Sequence, residues 1–235
     1  MTTEPPLLAR IAANLADVRA RIAEAATLAG RDPATVTLIA VSKTMLPEAI
    51  QGAYAAGARH FGENRVQEAV AKVPALDLPA AQWEMIGTLQ RNKVRAALDL
   101  FVRIHSVESV ELAREIDRLA GERGRVVQVL VQVNVAGEAS KHGVSLAEAL
   151  PLARAINELP HLRGAGLMTV APIVTDLADV RPIFRRLREL RDLLRVEVGP
   201  SWQELSMGMT DDFSVAIAEG ATLVRVGRAI FGARG

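Results

Sequence analysis

The chain has 235 residues, of which 50% are hydrophobic, 23% charged and 3% aromatic. It is long enough for a full core and too apolar for a disordered chain, and its core must be built from Ala, Val, Leu and Ile. Lys and Arg number 28 against 27 Asp and Glu, a formal net charge of +1, so no global field points to nucleic acid or an anionic membrane. With no cysteine, disulfide scaffolds, thiol nucleophiles, thiolate zinc sites and Fe–S clusters are excluded.

The opening Met1-Thr-Thr-Glu-Pro-Pro has no basic segment followed by an apolar stretch, so no signal peptide is expected. No apolar run approaches the ~20 residues of a membrane span, and a cytoplasmic location is expected. Leu8, Ile11, Leu15, Val18, Ile22 and Ala25 recur near a 3.6 period and predict a helix over 7–29, ended by Gly30 and Pro33. The apolar, β-branched run 36–41 suits a strand buried on both faces, and Pro47 opens an Ala-rich helix that stops near Gly57.

The alternation then repeats. Strands are expected at 59–61, 82–86, 101–105, 125–135, 162–168, 203–206 and 223–226, those at 59–61 and 203–206 on the weakest patterns. Helices are expected at 65–73, 91–98, 109–123, 146–159, 177–194 and 212–219, with a last one from Arg228. Eight strands each followed by a helix predict an α/β fold, a (β/α)8 TIM barrel with an extra N-terminal helix, spanning 1–235 as one domain.

In such a barrel the site lies at the C-terminal strand ends. That rule selects Ser42-Lys43-Thr44, Gly62-Glu-Asn64, Gly87-Thr88, His105-Ser106, Asn134, Met168-Thr169, Ser206-Met-Gly-Met209 and Gly227-Arg228. Lys43 follows a run of apolar strand residues, with only Ser42 between. A lysine desolvated there can act as a neutral amine and form a Schiff base with a carbonyl; the alternative is a loop lysine whose head reaches water. Gly227 stands between the last strand and a helix start, where backbone N–H groups favour an anion, and Ser206-Met-Gly208 adds a hydroxyl and another glycine. Paired with Lys43 across the mouth, this turn suggests a phosphorylated carbonyl ligand, which pyridoxal phosphate is. His60, His105, His142 and His161 show no ligand spacing, so no metal is expected. The basic helix 181–195 reads as a solvated outer face, or as a surface for an acidic partner. Lys141 is a fallback Schiff-base candidate.

Several segments together resemble the pyridoxal phosphate homeostasis protein family: Ala40-Val-Ser-Lys-Thr44, Phe61-Gly-Glu-Asn-Arg-Val-Gln-Glu68, Trp83-Glu-Met-Ile-Gly-Thr-Leu-Gln-Arg-Asn-Lys93, Val133-Asn-Val-Ala-Gly-Glu-Ala-Ser-Lys-His-Gly143, Gly166-Leu-Met168, Leu205-Ser-Met-Gly-Met209 and Val224-Arg-Val-Gly-Arg-Ala-Ile-Phe-Gly232. The resemblance implies the fold-type III barrel of the alanine racemase N-terminal domain. It implies that Lys43 carries pyridoxal 5'-phosphate covalently as an internal aldimine. It also places Ser206, Gly208, Gly227 and the backbone of Arg228 at the phosphate, Asn64 and Met168 beside the ring, and Arg225 near the pyridine nitrogen or phosphate. Arg228 stands where relatives often have Thr or Ser, which leaves the backbone as donor. The implied role is a non-catalytic carrier in vitamin B6 homeostasis that hands the cofactor to apo-enzymes; with no heptad seam or exposed aromatic stripe in the sequence, a monomer is expected. A racemase-type enzyme is the alternative, and would need a second acid–base group that Tyr54, the sole tyrosine, is badly placed to supply. A lysine Schiff-base aldolase on a sugar phosphate is the other rival.

Overall fold

In the computed structural model, residues 6–138 and 141–232 are described. The reading of the first five residues as free of a leader, and Ala139 and Ser140 of the fourth matching segment, lie outside them. The helix α1 (Leu7–Leu28) precedes β1 (Thr37–Val41), α2 (Pro47–Ala55), β2 (His60–Glu63), α3 (Val66–Lys72), β3 (Gln82–Met85) and α4 (Val94–Leu100). There follow β4 (Arg103–Val107), α5 (Val110–Gly121), β5 (Val127–Gln132), α6 (Leu146–Asn157), β6 (Leu162–Met168), α7 (Arg181–Glu197), β7 (Glu204–Ser206), α8 (Phe213–Ala218), β8 (Leu223–Val226) and α9 (Arg228–Phe231). The strands are parallel and lie in chain order, and β8 pairs with β1, Ala40 opposite Val226, to close the barrel. The expected (β/α)8 architecture with one extra helix is therefore the architecture found.

Both weak strands are present, and those at 162–168 and 223–226 have the expected limits. The fourth strand begins two residues later than its apolar pattern suggests. Phe101 N–H still donates to Ala97 O of α4 (2.8 Å), and pairing begins only with Val102 N–H to Trp83 O (2.9 Å). The fifth is shorter than expected: Val133 N–H still donates to Met168 O (2.8 Å), but Asn134 N–H turns to Val144 O (2.8 Å) and the chain bridges Val133 to Val144. Pro182 restarts the seventh outer helix after a 3₁₀ turn at Leu177–Val180. A capping box of Ser145 and Glu148 opens α6, and the Ser109 hydroxyl caps α5.

Side chains alternate between two environments along each strand. One set joins the large apolar layer between strands and helices, and includes Ala40, Phe61, Trp83, Met85, Ile104, Leu205, Val224 and Val226. The other points into the barrel, where Ile39, Leu130, Ala165, Met168 and Leu223 form a small apolar plug. The same inward register carries Glu84, His105, Ser206 and Arg225, all buried. The interior is thus half apolar plug and half polar chain. Helix α1 packs against α2, α8 and α9 and completes the outer ring. Among the described residues no helix is long and apolar enough to cross a membrane.

Candidate functional site

The mouth at the C-terminal strand ends opens into a cleft of about 910 Å³. Lys43 and Asn64 line it, with Arg65, Val66, Gln67, Ile86, Gly87, Thr88, Gln90, Lys93, Gln132, His142 and Val170. No acidic side chain is among these walls, so the cleft suits an anionic ligand. A smaller hollow of about 270 Å³ lies at the other end, between α1 and the starts of β1 and β2, and contains none of the expected site residues.

Lys43 follows β1 at the cleft, and both its neighbours are tied down from outside the strands. Lys72 Nζ, at the end of α3, donates to Ser42 O (3.0 Å) and Glu68 Oε1 (3.0 Å), and lies 2.8 Å from Glu63 Oε1. Glu63 accepts from the Ser42 hydroxyl (2.6 Å), and Glu68 accepts from Thr44 N–H (2.5 Å). Thr44 itself has φ +63, a left-handed conformation unfavourable for a β-branched residue. The carboxylate–lysine cluster therefore brackets Lys43 and holds a strained turn. Burial pushes the Glu63 carboxyl up, against the opposing hydrogen bonds from Lys72 and Ser42. For Glu68, burial is outweighed by the Thr44 N–H and by Lys72, and its carboxyl lies below the ordinary value.

Asn64 begins the loop after β2, and Gly87 passes directly beneath it: a Cβ on Gly87 would lie 2.3 Å from Asn64 O. Close backbone approach is what glycine permits there. Met168 belongs to the buried plug below the mouth. Gly227 follows β8, and a Cβ added to it would meet Val41 at 3.3 Å. The turn thus lies beside the strand that carries Lys43. It was expected across the mouth, but barrel closure makes β1 and β8 neighbours. Arg225 N–H donates to Gly208 O (2.9 Å), which joins the β7 and β8 ends. Gly208 has φ +92, and a Cβ there would lie 2.6 Å from Ala216 Cβ. The Arg228 side chain turns outward to Asp211, leaving the backbone at the start of α9 to any ligand.

Arg225 is 4% exposed and lies inside the barrel. Its guanidinium donates to Ser206 Oγ (2.7 Å) and Thr169 O (2.8 Å). Burial pulls its pKa down to about 10, with nearby Asp212 opposing, so it stays charged at neutral pH. Ser206 Oγ also lies 2.9 Å from His105 Nδ1, and His105 Nε2 lies 2.6 Å from Glu84 Oε2. Of this chain behind Arg225, reading strand ends brings out His105 and Ser206 and misses Glu84. Its signal in the sequence is a Glu between Trp83 and Met85, a charged residue alternating with apolar ones in a strand covered on both faces. Lys141 pairs with Glu138 (3.1 Å) in the loop after β5. Among the described residues no group of three or more His, Asp or Glu is placed to hold a metal ion.

Residues 8–235 match the family of the alanine racemase N-terminal domain. The chain is 47% identical over 228 residues to the pyridoxal phosphate homeostasis protein of Pseudomonas aeruginosa, covering 97% of each. Among solved structures, a protein of unknown function from Bifidobacterium adolescentis superposes with a TM-score of 0.92 at 39% identity, over 98% of both chains. PipY of Synechococcus elongatus, solved with PLP bound, superposes with a TM-score of 0.79 at 43% identity, over 90% of this chain and 100% of that one.

Proposed function

Because this chain belongs to the alanine racemase N-terminal domain family, and within it to the pyridoxal phosphate homeostasis proteins, we propose that it binds pyridoxal 5'-phosphate and serves vitamin B6 homeostasis. The observation that carries the reading is the juxtaposition of β1 and β8. It brings the strand that leads to Lys43 beside the strand that leads to the Gly227–Arg228 turn and carries the buried Arg225. The residues fit the group: an amine for an aldehyde, backbone N–H groups beside glycines for a phosphate, and a cleft without acidic side chains.

In this assignment Lys43 Nζ holds the aldehyde carbon of pyridoxal phosphate through a reversible covalent link. Gly208, Gly227 and the Arg228 backbone would hold the phosphate. Asn64 and Met168 would border the ring. Arg225 would lie at the ring nitrogen, where a fixed positive charge disfavours protonation. The bound group supplies a reactive aldehyde, which a second amine can remove again without hydrolysis.

The role is a carrier in the cytoplasm, a monomer that supplies pyridoxal phosphate-dependent apo-enzymes, and not a catalyst. Two features favour this. A guanidinium opposite the ring nitrogen weakens the ring as an electron sink. The chain's one tyrosine, Tyr54, belongs to α2 and stacks under the Arg59 guanidinium (4.4 Å), so it is not at the cleft. The test is the visible absorption of purified protein with added pyridoxal phosphate, comparing wild type with Lys43→Ala. A lysine-bound band in wild type alone is expected. No band in either would overturn the reading, and a band retained in Lys43→Ala would move the link to Lys141.

A further inference from the structure

Four inward-facing residues from four strands form one hydrogen-bonded chain across the barrel: Glu84, His105, Ser206 and Arg225. Glu84, Ser206 and Arg225 are each flanked by residues of the outer apolar layer, and His105 by Ile104 of that layer on one side and the buried Ser106 on the other. The charged and titratable groups around the chain are few. His60 Nδ1 lies 2.7 Å from Glu84 Oε1, Arg103 Nη1 lies 3.6 Å from Glu84 Oε2, and Asp212 acts on Arg225 at longer range.

Donor and acceptor arithmetic orders the protons. A guanidinium has no acceptor, so at the Arg225 end Ser206 Oγ must accept. The hydroxyl then has one proton to give, and His105 Nδ1 is its neighbour on the other side. An ionised Glu84 only accepts, so His105 Nε2 carries the hydrogen between them. Burial disfavours a charged His105 against the pull of Glu84, and for Glu84 burial is outweighed by hydrogen bonds from His105 and His60, so that it stays ionised. His105 is thus the Nε2–H tautomer, its bare Nδ1 takes the Ser206 proton, and the Ser206 lone pairs are left for Arg225. The hydroxyl is directed inward and has no proton for a phosphate.

We propose that Glu84 and His105 are positioning residues for the cofactor site: acting through Ser206, they fix the Arg225 guanidinium against the ring of the bound group. This rests on the reading above that Arg225 faces that ring. It assigns Ser206 to the ring end of the site as the holder of Arg225, and leaves the phosphate to backbone groups. Carboxylate-to-histidine orientation of a third group is a recurrent way to set a tautomer, and loosening it acts on the ligand at one remove.

Glu84→Gln is the discriminating variant, because it removes the charge that holds Nε2–H and its amide can donate to His105 Nε2, which favours the opposite tautomer. Two readouts are needed. The first is the ¹⁵N shift pair of His105 in protein without added pyridoxal phosphate: Nε2–H is expected in wild type and Nδ1–H in Glu84→Gln. The second is the affinity for pyridoxal phosphate and the pH midpoint of the bound absorption band. Affinity is expected to fall about tenfold in Glu84→Gln, the equivalent of one charge-assisted hydrogen bond, with the pH midpoint displaced.

Rescue separates positioning from mere packing. His105→Gln, which has both a donor and an acceptor, is expected to retain the wild-type band, and His105→Leu to lose it. These two variants also decide the matter if Glu84→Gln does not fold. A wild-type band with affinity and midpoint unchanged in Glu84→Gln, or an Nδ1–H tautomer in wild type, would overturn this proposal alone. Absence of any band in wild type would overturn the cofactor reading and this proposal with it.

Discussion

Replacing Lys72 by Met tests how firmly the Lys43 turn is held. The Lys72 side chain is 9% exposed and sits between two carboxylates, one of them, Glu63, fully buried. Removing one partner of a buried ion pair costs about 3–5 kcal/mol, because the other charge is left without compensation. Glu63 limits that loss. Burial already pushes its carboxyl up, and deleting the opposing Lys72 raises it further, so the variant can discharge Glu63 by protonation as the pH falls. Lys72→Met should therefore destabilise by about 3 kcal/mol at pH 8. Near pH 5.5, where mainly the hydrogen bonds are lost, about 1–2 kcal/mol is expected. At pH 8 the corresponding drop in Tm is roughly 6–12 °C for a chain of this length. Urea unfolding at the two pH values measures both quantities. Adding Glu63→Gln to Lys72→Met should recover part of the pH 8 loss, since an amide leaves no buried charge. Because Ser42 O and Thr44 N–H bracket Lys43, the same variant should bind pyridoxal phosphate more weakly. An equal loss at both pH values, or a loss below about 1 kcal/mol at pH 8, would refute the idea that a buried charge balance holds this turn.

Gly208→Ala should destabilise by more than about 1 kcal/mol and weaken pyridoxal phosphate binding, since the new Cβ meets Ala216 at 2.6 Å with φ at +92; thermal melts and titration of the absorption band measure both. Arg228→Ala should change stability by less than about 1 kcal/mol and leave affinity within about twofold, because among the described residues its side chain makes an exposed pair with Asp211 and the proposed contact to the ligand is through its backbone; a larger affinity loss would give the side chain a direct role. Acidification should act through His105: its folded pKa is depressed, so the unfolded chain takes up the proton first, and stability present above about pH 6.5 is lost as the pH falls toward the folded value. Glu84, also depressed, extends the loss below about pH 4.5, whereas Glu63, raised in the fold, opposes it above that value. The stability gap between wild type and His105→Gln should accordingly narrow from pH 7.5 to 5, and a constant gap in urea unfolding would show that His105 does not titrate differently in the two states.

The strand and helix order was legible because a parallel barrel writes each strand as a short apolar run and each helix as a 3.6-residue stripe. Even the three-residue β7 could be found from its place in the alternation. Boundaries were less legible where backbone bonding competes with pattern. Phe101 is as apolar as a strand residue, yet its N–H closes α4. Pattern fixes which face a residue joins, but the hydrogen bond that ends one element decides where the next can begin.

At the site, strand-end position alone brings out Lys43, Asn64 and the Gly208 and Gly227 turns, because the C-terminal ends of barrel strands converge whatever their spacing in sequence. Position along a strand does not tell which groups lie below the mouth. Glu84 and His105 are 21 residues apart, and His105 and Ser206 are 101 apart, so no local spacing marks them as partners. Only closure of the barrel, with each polar residue in the inward register, lets two apolar-flanked residues bond across its interior. The same geometry gives Ser206 two partners below the site, which a reading of Ser206-Met-Gly208 as a phosphate loop could not foresee. A buried serine beside an arginine and a histidine must accept from the first and is left to donate to the second, so its environment, more than its motif, sets what it can offer a ligand.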